Sequence, residues 1–468
     1  MKAEVRFYGA AREVTGSMHL IERDGHTVAM DCGLFQGRRA EANTRNREFP
    51  FDPGRLDAVV LSHAHIDHCG RLPRLLREGF AGPIFATPPT CDLVRVLLAD
   101  SAHIQEEDAA YWNKKRVHGG DEPIEPLYDA ADVEATVKLL EPRPLDSVFD
   151  VAPGIRATLR EAGHMIGSAG VLVEIDNGRG GPIRVAFSGD LGRPDLPIVR
   201  DPAPLPPCDY LICESTYGGR ITPGAEGMRE QLATVLNETI GRGGKVIIPS
   251  FAVGRTQVIV YYFHQLVEEG LIRPHVPLVV DSPLAVQATE VFMRHPEVYD
   301  REASAFNSQT GHIFECGDCQ YTRSVEESKA LHLRKEPMII VSASGMCEVG
   351  RILHHLKNNI GDPRNTILIV GYQAAHTLGR RLVEKATQVR IFGELYSVRA
   401  QVKVLNGFSA HANAAELADW TAPLAAQVRR TFLVHGEIDQ AEALANTMRQ
   451  RGFGDVVIPE ADQTFEID

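Results

Sequence analysis

No apolar stretch in this chain approaches the ~18 consecutive residues of a membrane-crossing helix, which excludes a spanning segment. The opening MKAEVRFYGAAREVTGS lacks the basic flank and apolar core of a secretory signal, so the expectation is a soluble, cytoplasmic protein without a membrane partner. Cysteine is sparse: Cys32, Cys69, Cys91, Cys208, Cys213, Cys316, Cys319 and Cys347 are scattered over 468 residues. A chain this long buries its own core and needs no disulfide framework. Cys316 and Cys319 form one C-x-x-C, but no second pair stands at zinc-site spacing, and the pair reads as incidental to a loop. Positive charge is also short. Lys and Arg number 49 against 62 Asp and Glu, a formal charge of −13. That balance opposes non-specific binding to phosphate backbones, so any nucleic-acid site must be a local basic lining. Arg71, Arg74 and Arg77, then Lys114, Lys115 and Arg116, then Arg380 and Arg381 are the clusters available, each readable alone as a solvated helix face. Internal repeats and low-complexity tracts are missing as well.

What the chain has is ordinary globular composition, 44% hydrophobic and 24% charged, at a length suited to two or three units. Short apolar runs read as strands at 4–9, 26–33, 56–65, 154–164, 170–175 and 183–190, with helical periodicity from 67 to 78. Residues 100–145 are polar and read as a helical excursion outside the core. The proline-dense DPAPLPPCDY (201–210) reads as a junction. Beyond it, KVIIPS, VPLVVDS, MIIVSAS and NTILIVGY each precede helical sequence, the alternation of a parallel α/β sheet. The segments 398–411 and 429–436 return to strands ending in His.

The strongest chemical signal is His63-Ala-His65-Ile-Asp67-His68, placed after an apolar strand. Imidazole and carboxylate are zinc donors, and side chains two apart at a strand end can meet one ion, with Asp67 and His68 suited to a second. The competing reading is a polar surface turn, which three His and an Asp within six residues make improbable. A closed site needs ligands from elsewhere. His164 in AGHMIGS, Asp190 in FSGDLG, His411 in GFSAHA, His435 in LVHGE and Asp31 in AMDCG share one pattern, a His or Asp downstream of an apolar strand beside Gly or Ser. Alone, each reads as a satisfied loop residue; together they support one another.

These segments resemble the metallo-β-lactamase superfamily. GAAREVTGS (9–17), CESTYG (213–218), PSFAVGRTQ (249–257), DSPLA (281–285), SASGM (342–346), GYQAAHTLGR (371–380) and GFSAHA (407–412) narrow the resemblance to its β-CASP nucleases, over nearly the whole chain. The resemblance implies an αββα metallo-β-lactamase sandwich with an inserted β-CASP α/β domain, divided as 1–205, 206–394 and 395–468. It implies the compact form of the family, without the GXXG-bearing RNA-binding domain of some archaeal members. It implies two Zn2+ per chain, one held by His63, His65, His164 and Asp190, the other by Asp67, His68, Asp190 and His435, with Asp31 orienting ligands from behind. Glu214, His411 and His435 match the family's β-CASP motifs. A His at the last of these accompanies RNA-processing members, so RNA, single-stranded, is the expected partner. One departure is Ala375-His376, where the family commonly carries Glu-Gly.

The chemistry so implied is hydrolysis of RNA phosphodiesters by a hydroxide between two metals, oriented by Asp67 and Asp190, leaving 5′-phosphate and 3′-hydroxyl. His411 is the expected general acid, backed by Glu214. Arg255, and Ser344 with Gly345, stand at strand-to-helix turns where backbone N–H groups can meet a phosphate, although without the resemblance each reads first as an ordinary βα turn with a helix cap. Three alternatives stay open: a DNA nuclease, another metallo-hydrolase on the same fold, and a non-catalytic RNA-binding paralogue. Endonuclease and 5′-exonuclease modes, and monomer and homodimer, are not separable at this level.

Overall fold

The computed structural model describes all residues except Met1, Lys2, Arg38, 117–122, Arg179, 222–226, Pro274 and Ala375. The chain divides into two compact units. One comprises Met1–Pro194, Asp201–Ile221 and Ala410–Asp468; the other comprises Asp195–Arg200 and Thr222–Ser409.

The first unit is built on two seven-stranded sheets. One runs in the order Thr464–Ile467, Ala3–Gly9, Met18–Arg23, His26–Met30, Ala58–Val60, Ile84–Ala86, Leu140–Pro142. The other runs Val456–Val457, Arg430–Val434, Tyr210–Glu214, Ile183–Phe187, Ala169–Ile175, Ile155–Glu161, Val148–Ala152. Strand alternation decides how they meet. In Ile155–Glu161 the apolar Ile155, Ala157 and Leu159 are buried while Arg156 is exposed. Val5, Phe7, Ile21 and Met30 of the first sheet share one core with Leu159, Val171, Val185, Ile212 and Phe432 of the second. Two sheets facing each other across apolar inner faces make a sandwich. Helices cover its outside. Leu417, Leu444 and Met448, from helices Ala414–Thr421 and Ile438–Gln450, pack on Leu172, Leu211 and Leu433 of the second sheet. Helices Leu72–Arg77, Pro88–Arg116 and Ala130–Val137 gather beside the first.

The second unit carries a six-stranded, all-parallel sheet in the order Cys319–Tyr321, Leu278–Val280, Ile339–Ser342, Val246–Pro249, Thr366–Ile369, Gln401–Val404. Its inner strands VIIP, LVV, IIVS and TILI are buried throughout, as strands covered on both faces must be. Among the described residues no helix is long and apolar enough to cross a membrane.

Several sequence readings need correction. The helix expected over 67–78 is two short helices, Ile66–Cys69 and Leu72–Arg77, parted at Gly70 and Arg71. The strand expected over 398–411 is only Gln401–Val404; His411 lies beyond it in an isolated bridge to Gly192. Tyr210–Glu214 completes a sheet of the first unit and Gln401–Val404 one of the second, so the units divide later along the chain than 205 and 394. Cys316 and Cys319 are joined as a disulfide, and the other six cysteines are buried thiols. Arg71 is no part of a basic surface. It is buried, donates to the carbonyls of Gly33 and Arg45, and lies over the rings of Phe35 and Phe49. Arg74 and Arg77 are paired with Glu78 and with Asp129 and Asp132.

Candidate metal centre

Strand direction gathers the site within the first unit. His26–Met30 and Ala58–Val60 are parallel, and so are Ile183–Phe187, Tyr210–Glu214 and Arg430–Val434. Ile155–Glu161 is two antiparallel steps from Ile183–Phe187 and therefore runs the same way. Their C-terminal ends deliver Asp31, His63, Asp190, Glu214, His435 and His164 to one edge of the sandwich. Close backbone approach holds this edge together. The Asp67 carbonyl accepts from Ser17 N at 2.8 Å, and a Cβ on Gly33 would fall 1.6 Å from that same oxygen. Only glycine fits there.

Two sets of donors result. In the first, His65 Nδ1 lies 3.0 Å from His63 Nε2 and 3.3 Å from His164 Nε2. Asp190 Oδ2 stands 3.5 Å from His63 Nε2 and 3.7 Å from His164 Nε2. In the second, His68 Nε2 is 3.2 Å from His435 Nε2 and 3.3 Å from Asp190 Oδ1, and His435 Nε2 is 3.6 Å from Asp67 Oδ2. A tetrahedron with metal–ligand bonds of about 2.0–2.1 Å has edges of about 3.3 Å, so both sets fit the ligand shell of a zinc-sized ion. Asp190 Oδ2 belongs to the first set, and its Oδ1 approaches His68 Nε2 of the second, whose closest group is Asp67, His68 and His435.

The surroundings favour cation binding. Burial drives the His63 and His164 pKa values well below normal and that of His65 down to about 4, leaving neutral imidazoles with lone pairs to donate. Burial also works against charge on Asp67 and Asp190, but the histidines outweigh it. Asp67 is held down to about 2, chiefly by its hydrogen bond with His435, and Asp190 falls well below the carboxylate range. His68 behaves oppositely: burial lowers it, yet the Asp190 and Asp31 carboxylates carry it well above normal. Asp31 stands behind it. One carboxylate oxygen meets His68 Nδ1 at 2.7 Å and accepts the hydroxyls of Ser17 and Ser62; the other accepts Ser62 N at 2.8 Å. That contact fixes the His68 ring with Nε2 toward Asp190. Among the described residues, buried His164 Nδ1 has no hydrogen-bond partner, and Asp190 Oδ1 has only the approaching imidazoles of His68 and His435.

Beside this cluster, His411 Nδ1 lies 3.3 Å from Glu214 and 4.0 Å from Asp190. Glu214 is fully buried and accepts the backbone N–H of Leu191. Burial lowers the His411 pKa, but attraction to and hydrogen bonding with Glu214, with help from Asp190, lift it to about 9. At neutral pH this imidazole is protonated. The side chains of His411 and Asp67 are 22% and 24% exposed and His65 is half-buried, whereas His63, His68, His164, Asp190 and His435 are buried, so the cluster opens at these three.

Comparison with known proteins gives concordant matches. Residues 11–238 match the model of the metallo-beta-lactamase superfamily, 256–382 the Beta-Casp domain, and 395–459 the Zn-dependent metallo-hydrolase RNA specificity domain. Ribonuclease TTHA0252 of Thermus thermophilus is 38% identical over 446 residues, covering 95% of this chain and 96% of that protein. The chain belongs to the β-CASP metallo-β-lactamases. Transcription termination factor FttA of Pyrococcus horikoshii is 32% identical over 468 residues, 95% of this chain and 68% of that protein. A crystal structure of a protein of unknown function from Enterococcus faecalis V583 covers both chains fully with a TM-score of 0.58 at 14% identity, a likeness of fold alone.

In the β-CASP unit, the sequence candidates sit at ends of the parallel sheet. Arg255 begins helix Arg255–Glu268; its Nε and Nη2 donate to the Phe408 carbonyl at 3.3 and 3.2 Å. Ser344 Oγ accepts Glu348 N at 3.3 Å within its own turn, and the Gly345 carbonyl accepts Gln373 Nε2 at 3.0 Å. His376 is exposed next to Thr377, which caps helix Leu378–Val383; Ala375 lies outside the described residues.

Sequence reasoning missed three side chains. Ser62 bridges Asp31 and His63 Nδ1, Thr216 Oγ1 lies 3.1 Å from His435 Nδ1, and the Tyr217 ring meets His411 edge-on at 5.6 Å. Thr216 and Tyr217 stood inside CESTYG, and Ser62 directly before His63, but hydroxyl residues in loops carry no signal of a partner until the fold supplies one.

Proposed function

We propose that this β-CASP protein is a zinc-dependent ribonuclease acting on single-stranded RNA in the cytoplasm. The observation carrying the reading is the pair of imidazole–carboxylate sets joined at Asp190, with protonated His411 and buried Glu214 beside them. A metal-dependent RNA nuclease is also what family membership supports, through the RNA specificity domain and the relative named a ribonuclease. The TTHA0252 match spans 96% of that protein and the FttA match 68%, so hydrolysis of RNA is preferred here to a role in termination.

His63, His65, His164 and Asp190 would hold one ion; Asp67, His68, Asp190 and His435 would hold the other. When bound, such a pair supplies Lewis acidity toward a phosphate oxygen and toward water. The chain's own groups do the rest. Asp67, at the open side of the cluster, and the buried Asp190 behind it stay ionised and accept hydrogen bonds from a water approaching the phosphorus. Glu214 occupies His411 Nδ1, leaving the Nε2 proton for the departing 3′-oxygen. The products are then a 5′-phosphate and a 3′-hydroxyl. Arg255, Ser344 and Gly345 are proposed to meet neighbouring phosphates.

Metal analysis of the purified protein tests the first half, with two zinc ions per chain expected. End-labelled RNA and DNA of one sequence, bearing 5′-triphosphate, monophosphate or hydroxyl, test the second. Fragment lengths separate internal cutting from 5′-end digestion, and sedimentation separates monomer from homodimer. A metal-free protein that still cut RNA would overturn the proposal.

A further inference from the structure

Two aromatic side chains of the β-CASP unit remain open to solvent in a place where solvent exposure is costly for a ring. Phe251 is 42% exposed and Tyr372 48% exposed. They follow Val246–Pro249 and Thr366–Ile369, adjacent parallel strands, and so emerge at the C-terminal edge of one sheet. That edge is where parallel α/β sheets bind ligands.

The two loops are built around each other. The Phe251 ring covers Gly345: a Cβ there would sit 3.0 Å from Phe251 Cδ2. Gln373 Nε2 donates to the carbonyls of Gly345 and Tyr372, at 3.0 and 3.1 Å, tying the Tyr372 loop to the glycine beneath Phe251. Arg255 has its guanidinium 5.0 Å from the Phe251 ring centre and against Gly371, where a Cβ would lie 2.4 Å from Nη1. Gly345 and Gly371 therefore give the ring and the cation room to lie flat, and the buried Gln373 amide fixes the spacing. A cation stacked on one exposed ring, with a second exposed ring on the adjoining loop and a small-residue floor beneath, suits a nucleobase, whose π-face stacks on an aromatic while its phosphate meets the cation.

We infer that Phe251 and Tyr372 form a base-stacking platform for the RNA strand, with Arg255 stacked beside Phe251. The inference rests on the ribonuclease reading and adds to it that the enzyme grips bases as well as phosphates. Stacking is tolerant of base identity, so the platform gives affinity for unpaired nucleotides without sequence preference.

The test compares wild-type protein with Phe251→Leu and Tyr372→Leu, which keep apolar bulk and lose the π-face. Substrates are a single-stranded RNA, the same RNA with one abasic position moved along it, and a fully abasic ribose-phosphate strand. Each leucine variant should raise KM for intact RNA roughly 5- to 100-fold, and Phe251→Trp should restore it. An abasic substitution at one or two positions should raise the wild-type KM to a similar degree and make the leucine variants indistinguishable from wild type. If wild-type protein loaded with metal cuts no RNA, the ribonuclease reading itself fails. If it cuts RNA, and the variants and the abasic substitutions leave KM unchanged, the platform alone is overturned.

Discussion

Asp31 reaches the proposed second ion only through another side chain, since its carboxylate fixes His68 from behind. Asp31→Asn keeps the shape and removes the charge. Metal affinity should fall about 10- to 100-fold, read by competition against a chelator; unchanged affinity would detach Asp31 from the centre. His411 gives a pH signature. Its pKa of about 9 lies above the ordinary 6.5, so the proton needed by an acid is present at neutral pH and lost as pH rises through 9. Glu214→Gln removes the main support, and the alkaline limb of kcat should move to lower pH. An unmoved limb counts against the pairing. His411→Ala should lower kcat on the order of 10²- to 10⁴-fold with metal content intact. At this scale the candidate donors were legible because metal chemistry accepts few residue types, and the H-x-H-x-D-H cluster concentrates them. Ser62 and Thr216 were not legible, because a hydroxyl gains its role only from what the fold brings beside it.

At the scale of elements, Asp281 anchors the β-CASP sheet. It follows Leu278–Val280, is fully buried, and takes Arg351 at 2.7 Å and Ser328 Oγ at 2.6 Å, with His355 and Thr322 completing its shell. Burial opposes its charge, but these partners hold it well below the usual carboxylate range. A depressed folded pKa stabilises above the unfolded value of about 3.9, and that contribution is lost as pH falls below it. Asp281→Ala strands Arg351 and His355, and should cost about 3–5 kcal/mol in urea unfolding; a loss under 1 kcal/mol would mean water replaces the carboxylate. The strands flanking Asp281 were visible in sequence because VPLVVDS and MIIVSAS are continuous apolar runs. Helix 67–78 was misread because Leu72, Leu75 and Leu76 keep helical period, whereas a separate one-turn helix, Ile66–Cys69, presents Asp67 and His68 and ends at Gly70.

For the whole molecule, the proposed ligands come from segments as distant as His63 and His435, so bound metal cross-links the first unit. An ion that binds only the folded state stabilises it by about 2.7 kcal/mol at a hundredfold excess over Kd. Calorimetry with and without chelator should show the unfolding temperature rising with zinc; an unchanged temperature would deny a folded-state site. The interruption of the first unit was expected from the family resemblance, with the proline-dense junction and the return of His-bearing segments as its marks in the sequence. The junctions themselves fell further along the chain, because hydrogen bonding of Tyr210–Glu214 and Gln401–Val404 to their sheets, rather than proline content, decides membership.

Which donors exist, and that apolar strands precede most of them, could be read along the chain, since hydrophobic period and ligand chemistry are local properties. It took the folded chain to turn one Asp190 oxygen toward His63 and His164 and the other toward His68, to seal Glu214 against His411, and to leave Phe251 and Tyr372 partly exposed. Those outcomes depend on strand direction and close approach between segments hundreds of residues apart, and no local pattern encodes them.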